Sequence, residues 1–307
     1  MVLHIDILLL TILLNTCGLG DDDLTADLKK KVDQFDVEKW WQDYETLETP
    51  FKPRASGTSE NTSRLHNPYS GDEYAWQLTE TVNEFLSRLP PATTEGISGH
   101  CWIWICNPYI KRKSRNEAEN QRVPGGEDEA PEEKGADLAT LIQAGKERLH
   151  FASSFIHDFR KPGLSNALIT QETKKAGKDA AKDILGLAKG LRVTCGKWML
   201  FCTAFEVNEV WEVIAQATAK NQLGIAAKVA TKSNLDQRTE RLICVYTADF
   251  SDTKDVTRVA KKLKQLGLVK SRPLYYKPDA YTYLGIASGN PWEIRPSIYD
   301  TRSLLGK

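Results

Sequence analysis

The run Cys101-Trp-Ile-Trp-Ile-Cys106 has no polar residue on either face and stops at Asn107-Pro108. Six residues are short for a helix, and a strand that is apolar on both sides persists only inside a sheet covered above and below. The run therefore predicts a buried central strand. Further strand-like runs lie at 197–203, 224–232, 241–247, 274–276 and 281–286. Between them, apolar residues recur at helical spacing over 74–89, which stops at Pro90-Pro91, and over 137–159 and 164–191, which are parted by Lys161-Pro162-Gly163. Asn208 is a candidate cap for a helix carrying Val210, Trp211, Ile214 and Ala217. Ser251 or Asp252 is positioned to cap a helix over 253–266 that Gly267 ends. Strands with short antiparallel links and interspersed helices predict an α+β fold, a curved, mainly antiparallel sheet with helices packed on one face.

The remaining segments are polar. Residues 1–65 are expected to be a largely disordered tail, because the acidic stretch 21–50 is followed by a Ser-, Thr-, Pro- and Glu-rich one with few apolar anchors. Residues 66–307 are expected to form a single domain. Residues 111–134 (KRKSRNEAENQRVPGGEDEAPEEK) have almost no apolar side chain and are expected to be a disordered, solvated insertion that contributes nothing to the core. The 307-residue chain has 41 basic and 41 acidic residues, yet 21–50 and 117–133 each carry a net −6. Asp6 aside, the rest carries +13. A folded part with that excess attracts anions.

The apolar run 7–14 has the length of a signal-peptide core and is too short to span a membrane, and no Lys or Arg precedes it. Six cysteines, mostly inside apolar runs, fit reduced core residues. The expected location is cytoplasmic or nuclear, with secretion the alternative if the 7–14 run is a signal. No membrane partner is expected otherwise.

Several chemistries lack their residues. There is no G-x-G-x-x-G, Gly177-Lys178 lacks the rest of a phosphate loop, and Gly96-Ile97-Ser98 continues as Gly99-His100 rather than completing a nucleophile elbow. The cysteines do not fall at zinc-ligand spacing, and His157-Asp158 has no identifiable partner pair. No cofactor or metal is implied, and the chain is read as non-catalytic. An enzyme of unrecognised type, built on His157, Asp249 or Asp279, is a remaining alternative.

Three runs carry a family resemblance: Trp198-Met-Leu-Phe, Ile243-Cys-Val-Tyr-Thr-Ala-Asp-Phe250 and Tyr276-Lys-Pro-Asp-Ala-Tyr-Thr-Tyr-Leu-Gly-Ile286. They resemble the basophilic leukemia expressed protein family, a domain of unknown function. The order of the elements over the carboxyl-terminal half is similar to the eukaryotic cap-binding translation initiation factor. The resemblance implies an eight-stranded type of curved sheet with helices on its convex face and a ligand cleft on its concave face, where two tryptophans sandwich a methylated guanine and cationic side chains hold the phosphates. This sequence departs from that pattern. The family's phosphate arginine falls on Ala230, a tryptophan position holds Tyr246, and no tryptophan lies between Cys106 and Gly196. Binding of a methylated cap is not carried over.

What remains is a basic and aromatic set, Lys228, Lys232, Tyr246, Lys277, Tyr281 and Tyr283, expected to line the concave cleft and to bind RNA or a nucleotide through stacking and phosphate contacts. The same residues could instead be half-buried strand positions with a solvated lysine rim. A protein partner on the convex helices is the other binding mode considered. Trp102, Trp104, Trp198 and Trp211 are expected in the core.

Overall fold

A computed structural model describes residues 65–96, 101–113, 128–159, 165–232 and 240–306. The expectations for the amino-terminal tail, its apolar run and the acidic stretch up to residue 127 lie outside these residues. Residues 60–307 form one compact unit. In chain order the elements are α1 (Val82–Arg88), β1 (Trp102–Cys106), α2 (Leu138–Phe159), α3 (Asn166–Gly190), β2 (Gly196–Thr203), α4 (Val207–Ala219), β3 (Ala226–Ala230), β4 (Glu240–Thr247), α5 (Thr253–Gln265), β5 (Tyr275–Pro278), α6 (Asp279–Tyr283), β6 (Tyr299–Asp300) and α7 (Thr301–Leu305). Local chemistry sets several starts. Thr81 and Glu84 form a capping box on α1, Ser165 accepts from the Leu168 N–H, and Asp252 accepts from the N–H groups of Lys254 and Asp255.

The six strands make one open sheet in the order β1-β3-β4-β2-β5-β6, every pair antiparallel. The fold is α+β. The described sheet has six strands where the resemblance implied eight. β1 is an edge strand rather than a central one, and its outer side is covered by residues 74–76. Trp104 donates its N–H to the Tyr74 carbonyl and accepts from the Trp76 N–H, each at 2.9 Å. That cover satisfies the backbone edge, while α4 on the Ile103 and Ile105 side and Tyr69 stacked on Trp104 on the other leave neither face of the run polar.

The register sorts the side chains. Ile103, Val229, Ile243 and Leu200 align in one row, and Ile105, Ala227, Val245, Trp198 and Tyr276 in the next. All are buried against α4 and α5, and the Trp198 Nε1 donates to the Val256 carbonyl of α5 at 3.2 Å. The rows on the opposite face are Trp104, Lys228, Cys244, Met199 and Tyr275, then Cys106, Ala226, Tyr246, Lys197 and Lys277. The face implied to bind ligand thus carries two lysines in the middle of apolar strands.

The α2/α3 hairpin forms a second apolar cluster with α6 and residues 284–294, including Leu149, Ala180, Ile184, Tyr281 and Ile294. Close approach there depends on glycine. A Cβ at Gly177 of α3 would sit 2.1 Å from the carbonyl oxygen of Trp292, which is backbone and cannot swing aside. Gly177→Ala should therefore destabilise by about 1–3 kcal/mol through overpacking, despite its better helix propensity. Thermal unfolding tests this; an unchanged or raised midpoint would refute the close approach.

Tyr281 and Tyr283 lie on the short helix α6, not on a strand over 281–286 as expected. Pro278 precedes the helix in extended geometry, and Gly285 ends it at φ 69°. Of the four tryptophans expected in the core, Trp104, Trp198 and Trp211 are buried and Trp102 is half-buried. Among the described cysteines, Cys106, Cys195, Cys202 and Cys244 are free and buried, and Cys101 is free and exposed. No helix among the described residues is long and apolar enough to cross a membrane.

Candidate functional site

Lys197 and Lys228 sit on neighbouring rows of the face opposite α4 and α5, and both are at most 4% exposed. A buried ammonium needs a partner, or burial drives it neutral. The partner is Glu129, from the segment expected to be solvated. That expectation is corrected by the structure: residues 128–133 form a strap across the sheet, with Glu129 4% and Ala130 2% exposed. Hydropathy missed it because this strap is held by charge rather than by apolar area.

One Glu129 carboxylate oxygen accepts from the Lys197 Nζ and, at 2.5 Å, from the Tyr246 hydroxyl. The other accepts from the Lys228 Nζ at 3.3 Å. Lys197 also donates to Asp279 Oδ1 at 2.9 Å and to the Thr282 hydroxyl at 3.0 Å, while Lys228 donates to the Asp128 carbonyl. The Lys228 Nζ lies 3.8 Å from the Trp102 ring centroid and 5.2 Å from that of Trp104. Those are cation–π distances. Trp104 in turn stacks between Tyr69 and Tyr246, at centroid separations of 4.9 and 5.7 Å.

The electrostatics follow from this geometry. Burial alone would raise the Glu129 carboxyl, but Lys197 and Lys228 outweigh it and hold the group below the ordinary glutamate range. Burial alone would lower Lys197, but Asp279 and Glu129 outweigh it and raise the ammonium above the ordinary lysine range. Lys228 has less compensation, and burial lowers it despite Glu129. Burial pushes Asp279 up to about 6.

The cluster continues at Glu132. Its Oε2 accepts the N–H groups of Thr194 and Cys195 at 3.1 and 3.2 Å, while its Oε1 and the Asp279 Oδ2 are buried without a hydrogen-bond partner. Burial, then the negative charge of Asp279, pushes Glu132 up to about 8. Glu132, Cys195 and Asp279 bring one ligand-type atom each within 4.8 Å of one another. The donors already present argue against a cation there: Arg112 Nη2 lies 2.9 Å from the Cys195 Sγ, and Lys197 occupies Asp279 Oδ1.

The six expected site residues therefore separate. Lys228, Tyr246 and Lys277 share the predicted face, but Lys228 and Tyr246 are sealed under the strap and Lys277 is half-buried. Lys232 lies beyond the end of β3, where its Nζ is 3.5 Å from Glu95. Tyr281 is buried in the second apolar cluster, and Tyr283 packs against the main core. Asp249 is taken up by the Ser251 N–H and hydroxyl, both at 2.7 Å.

The part of this face that the strap leaves open lies at the other end of the strands, and sequence reasoning missed it. Phe201 of β2 is 59% exposed and Tyr275 of β5 43%. Met199 pairs with Tyr275, so Phe201 and Tyr275 are diagonal neighbours on the same side of two adjacent strands. Phe205, in the turn after β2, is 96% exposed. Its neighbour Glu206 pairs with Lys270 at 2.8 Å, which ties the α5-to-β5 segment and its exposed Arg272 to the same end. Lys261 and Lys264, exposed near the end of α5, lead into that segment. The available signal was the alternation in 197–203, which puts Phe201 on the side opposite Trp198 and Leu200.

Among solved structures, the chain is similar to Ascaris suum eIF4E-3 with an m2,2,7G cap, at 12% identity and a TM-score of 0.27, over 36% of this chain and 58% of that one. The model of the basophilic leukemia-expressed protein Bles03 matches residues 28–285. That match runs from ahead of the described residues through the strap and the sheet to α6, and the chain belongs to the Bles03 family.

Proposed function

We propose that the protein is a non-catalytic binding module for single-stranded RNA, and that its contact surface is the open end of the sheet rather than the strapped part. The observation that carries this reading is the exposure of Phe201, Phe205 and Tyr275 at one end of the sheet, to which the exposed Lys270 is tied through its pair with Glu206. Three exposed aromatic rings at one end of a sheet lose free energy to water unless something covers them. Bases do so whatever their sequence, at ~1–3 kcal/mol per stacked base, and the cations add a salt-dependent phosphate term.

Fluorescence anisotropy of a labelled oligouridine at low salt tests the reading. Wild type should bind, and Phe201→Ala and Tyr275→Ala should each weaken binding by roughly 5- to 150-fold, the equivalent of one lost stack. Lys264→Ala with Lys270→Ala should flatten the salt dependence instead. No binding at low salt, or affinity indifferent to both aromatic changes, refutes it. A capped oligonucleotide in the same titration shows whether the cap adds anything.

A protein partner is the second reading, and a different patch favours it. Phe151 and Phe155 on α2 are 68% and 43% exposed, and Leu168 on α3 is 38% exposed. Captured partners that survive nuclease and are lost in Phe151→Ser with Phe155→Ser would favour this mode.

A further inference from the structure

Two carboxylate oxygens, Glu132 Oε1 and Asp279 Oδ2, lie buried in one cluster with no hydrogen-bond partner among the described residues. We propose that Glu132 and Asp279 share a single proton, and that this proton locks the 128–133 strap over Lys197 and Lys228. Each carboxyl offers an oxygen within 4.8 Å of the other, so a small side-chain adjustment brings both orphan oxygens onto one proton, whereas two adjacent carboxylates in a dry site repel. The arrangement is built to hold that proton because, among the described residues, the nearby cations spend their donors on atoms other than Glu132 Oε1 and Asp279 Oδ2. Arg112, after β1, donates through Nε to the Pro131 carbonyl, through Nη1 to Glu133 and through Nη2 to the Cys195 Sγ. Lys197 of β2 serves Glu129, Asp279 Oδ1 and Thr282 of α6. Lys228 of β3 also acts on Asp279 but spends its donors on Glu129 and the Asp128 carbonyl, and Cys195 ahead of β2, Tyr283 of α6 and Glu129 of the strap supply no cation.

The strap is the element the proton acts on. Glu132 is three residues from Glu129; Glu129 fastens the segment to β2, β3 and β4, and Glu132 fastens it to the Thr194 and Cys195 N–H groups ahead of β2. Loss of the proton leaves a second uncompensated negative charge beside Asp279, and the relief is for the strap to leave the sheet. That uncovers Lys197, Lys228, Trp104 and Tyr246, the cationic aromatic surface the closed form hides. The proposal is independent of the RNA surface at the other end of the strands.

The sign follows from the direction of the shift. A carboxyl raised on folding holds a proton that the unfolded chain gives up above its ordinary value of 4.5. The stabilising effect is full below that value, declines as pH climbs, and is gone once pH passes about 8. Infrared spectra and hydrogen exchange on the full chain test this. A protonated-carboxyl band should be present at neutral pH, vanish above about 8, and be missing from Glu132→Gln. Exchange of the strap amides, corrected for intrinsic rates, should speed up by as much as tenfold per pH unit between 4.5 and about 8 in wild type and level off above that. It should stay flat in Glu132→Gln, whose amide donates to Asp279 without titrating. Asp279→Asn gives a second variant in which burial alone is left to raise Glu132, so the band and the strap transition should move to lower pH. A band that persists unchanged in both variants, or strap protection indifferent to pH in wild type, overturns the proposal. So does a stoichiometric metal ion whose removal reproduces the pH effect.

Discussion

Replacing Lys197 by methionine should lower the unfolding free energy by about 3–5 kcal/mol, because it removes one member of a buried charge cluster and strands the others. Methionine fills much of the volume, so the loss is electrostatic rather than a cavity. Glu129 loses one of its two ammonium partners, and Asp279 loses the donor on Oδ1 while its Oδ2 already has none. Ordinary domains are stable by only 5–15 kcal/mol, so this single change consumes a large part of the total. Lys197→Met combined with Asp279→Asn should recover about 1–3 kcal/mol, since the double variant removes one charge of each sign. Urea unfolding at neutral pH measures both. A loss below about 1 kcal/mol for the single variant would mean the cluster is hydrated and the strap is not a structural part of the sheet.

The legibility of this fold in its sequence divides along one physical line. Elements specified by local chemistry were readable. The helix over 253–266 is α5 with Asp252 as its cap, and the strands at 197–203 and 241–247 are β2 and β4 within a residue. Where tertiary contact decides, reading failed. The alternating aromatics of Tyr281-Thr-Tyr283 look like a strand, yet one helical turn lets Tyr281 reach the α2/α3 hairpin while Asp279 reaches Lys197. The strap failed for the opposite reason, since nothing in E-D-E-A-P-E-E suggests burial. The signal lay in its partners. A lysine flanked by Ala227 and Val229, and another between Gly196 and Trp198, sit inside strands and must each find a carboxylate once those strands are covered. Of the two, Lys228 was expected to line an open cleft, and the structure buries it under Glu129. The exposed rings at the open end are single phenylalanines and a tyrosine, and only the register shows that two of them are neighbours.

Trp198→Ala should cost about 3–5 kcal/mol and should separate the stability of the sheet from the surface proposed to bind RNA. Trp198 is wholly buried on the helix side of β2, its ring lies 5.3 Å from Tyr276 in an edge contact, and its Nε1 donates to the Val256 carbonyl in the first turns of α5. Alanine leaves a cavity at the centre of the sheet and removes the side-chain donor that the Val256 carbonyl accepts from. Phenylalanine refills much of the cavity but not the hydrogen bond, so Trp198→Phe should cost roughly 1–3 kcal/mol less than Trp198→Ala. The same residue pins α5, whose exposed Lys264 leads into the segment that Lys270 and Glu206 tie to the aromatic end. RNA affinity at low salt should therefore fall in Trp198→Ala by loss of the phosphate contribution and a shallower salt slope, with stacking on Phe201 and Tyr275 retained. Phe201→Ala should do the reverse, weakening binding while leaving the urea midpoint within about 0.5 kcal/mol of wild type, because an exposed ring contributes little to folding. If both variants lose stability together and affinity together, the open rings are part of the core and the two faces of this sheet do not divide folding from binding.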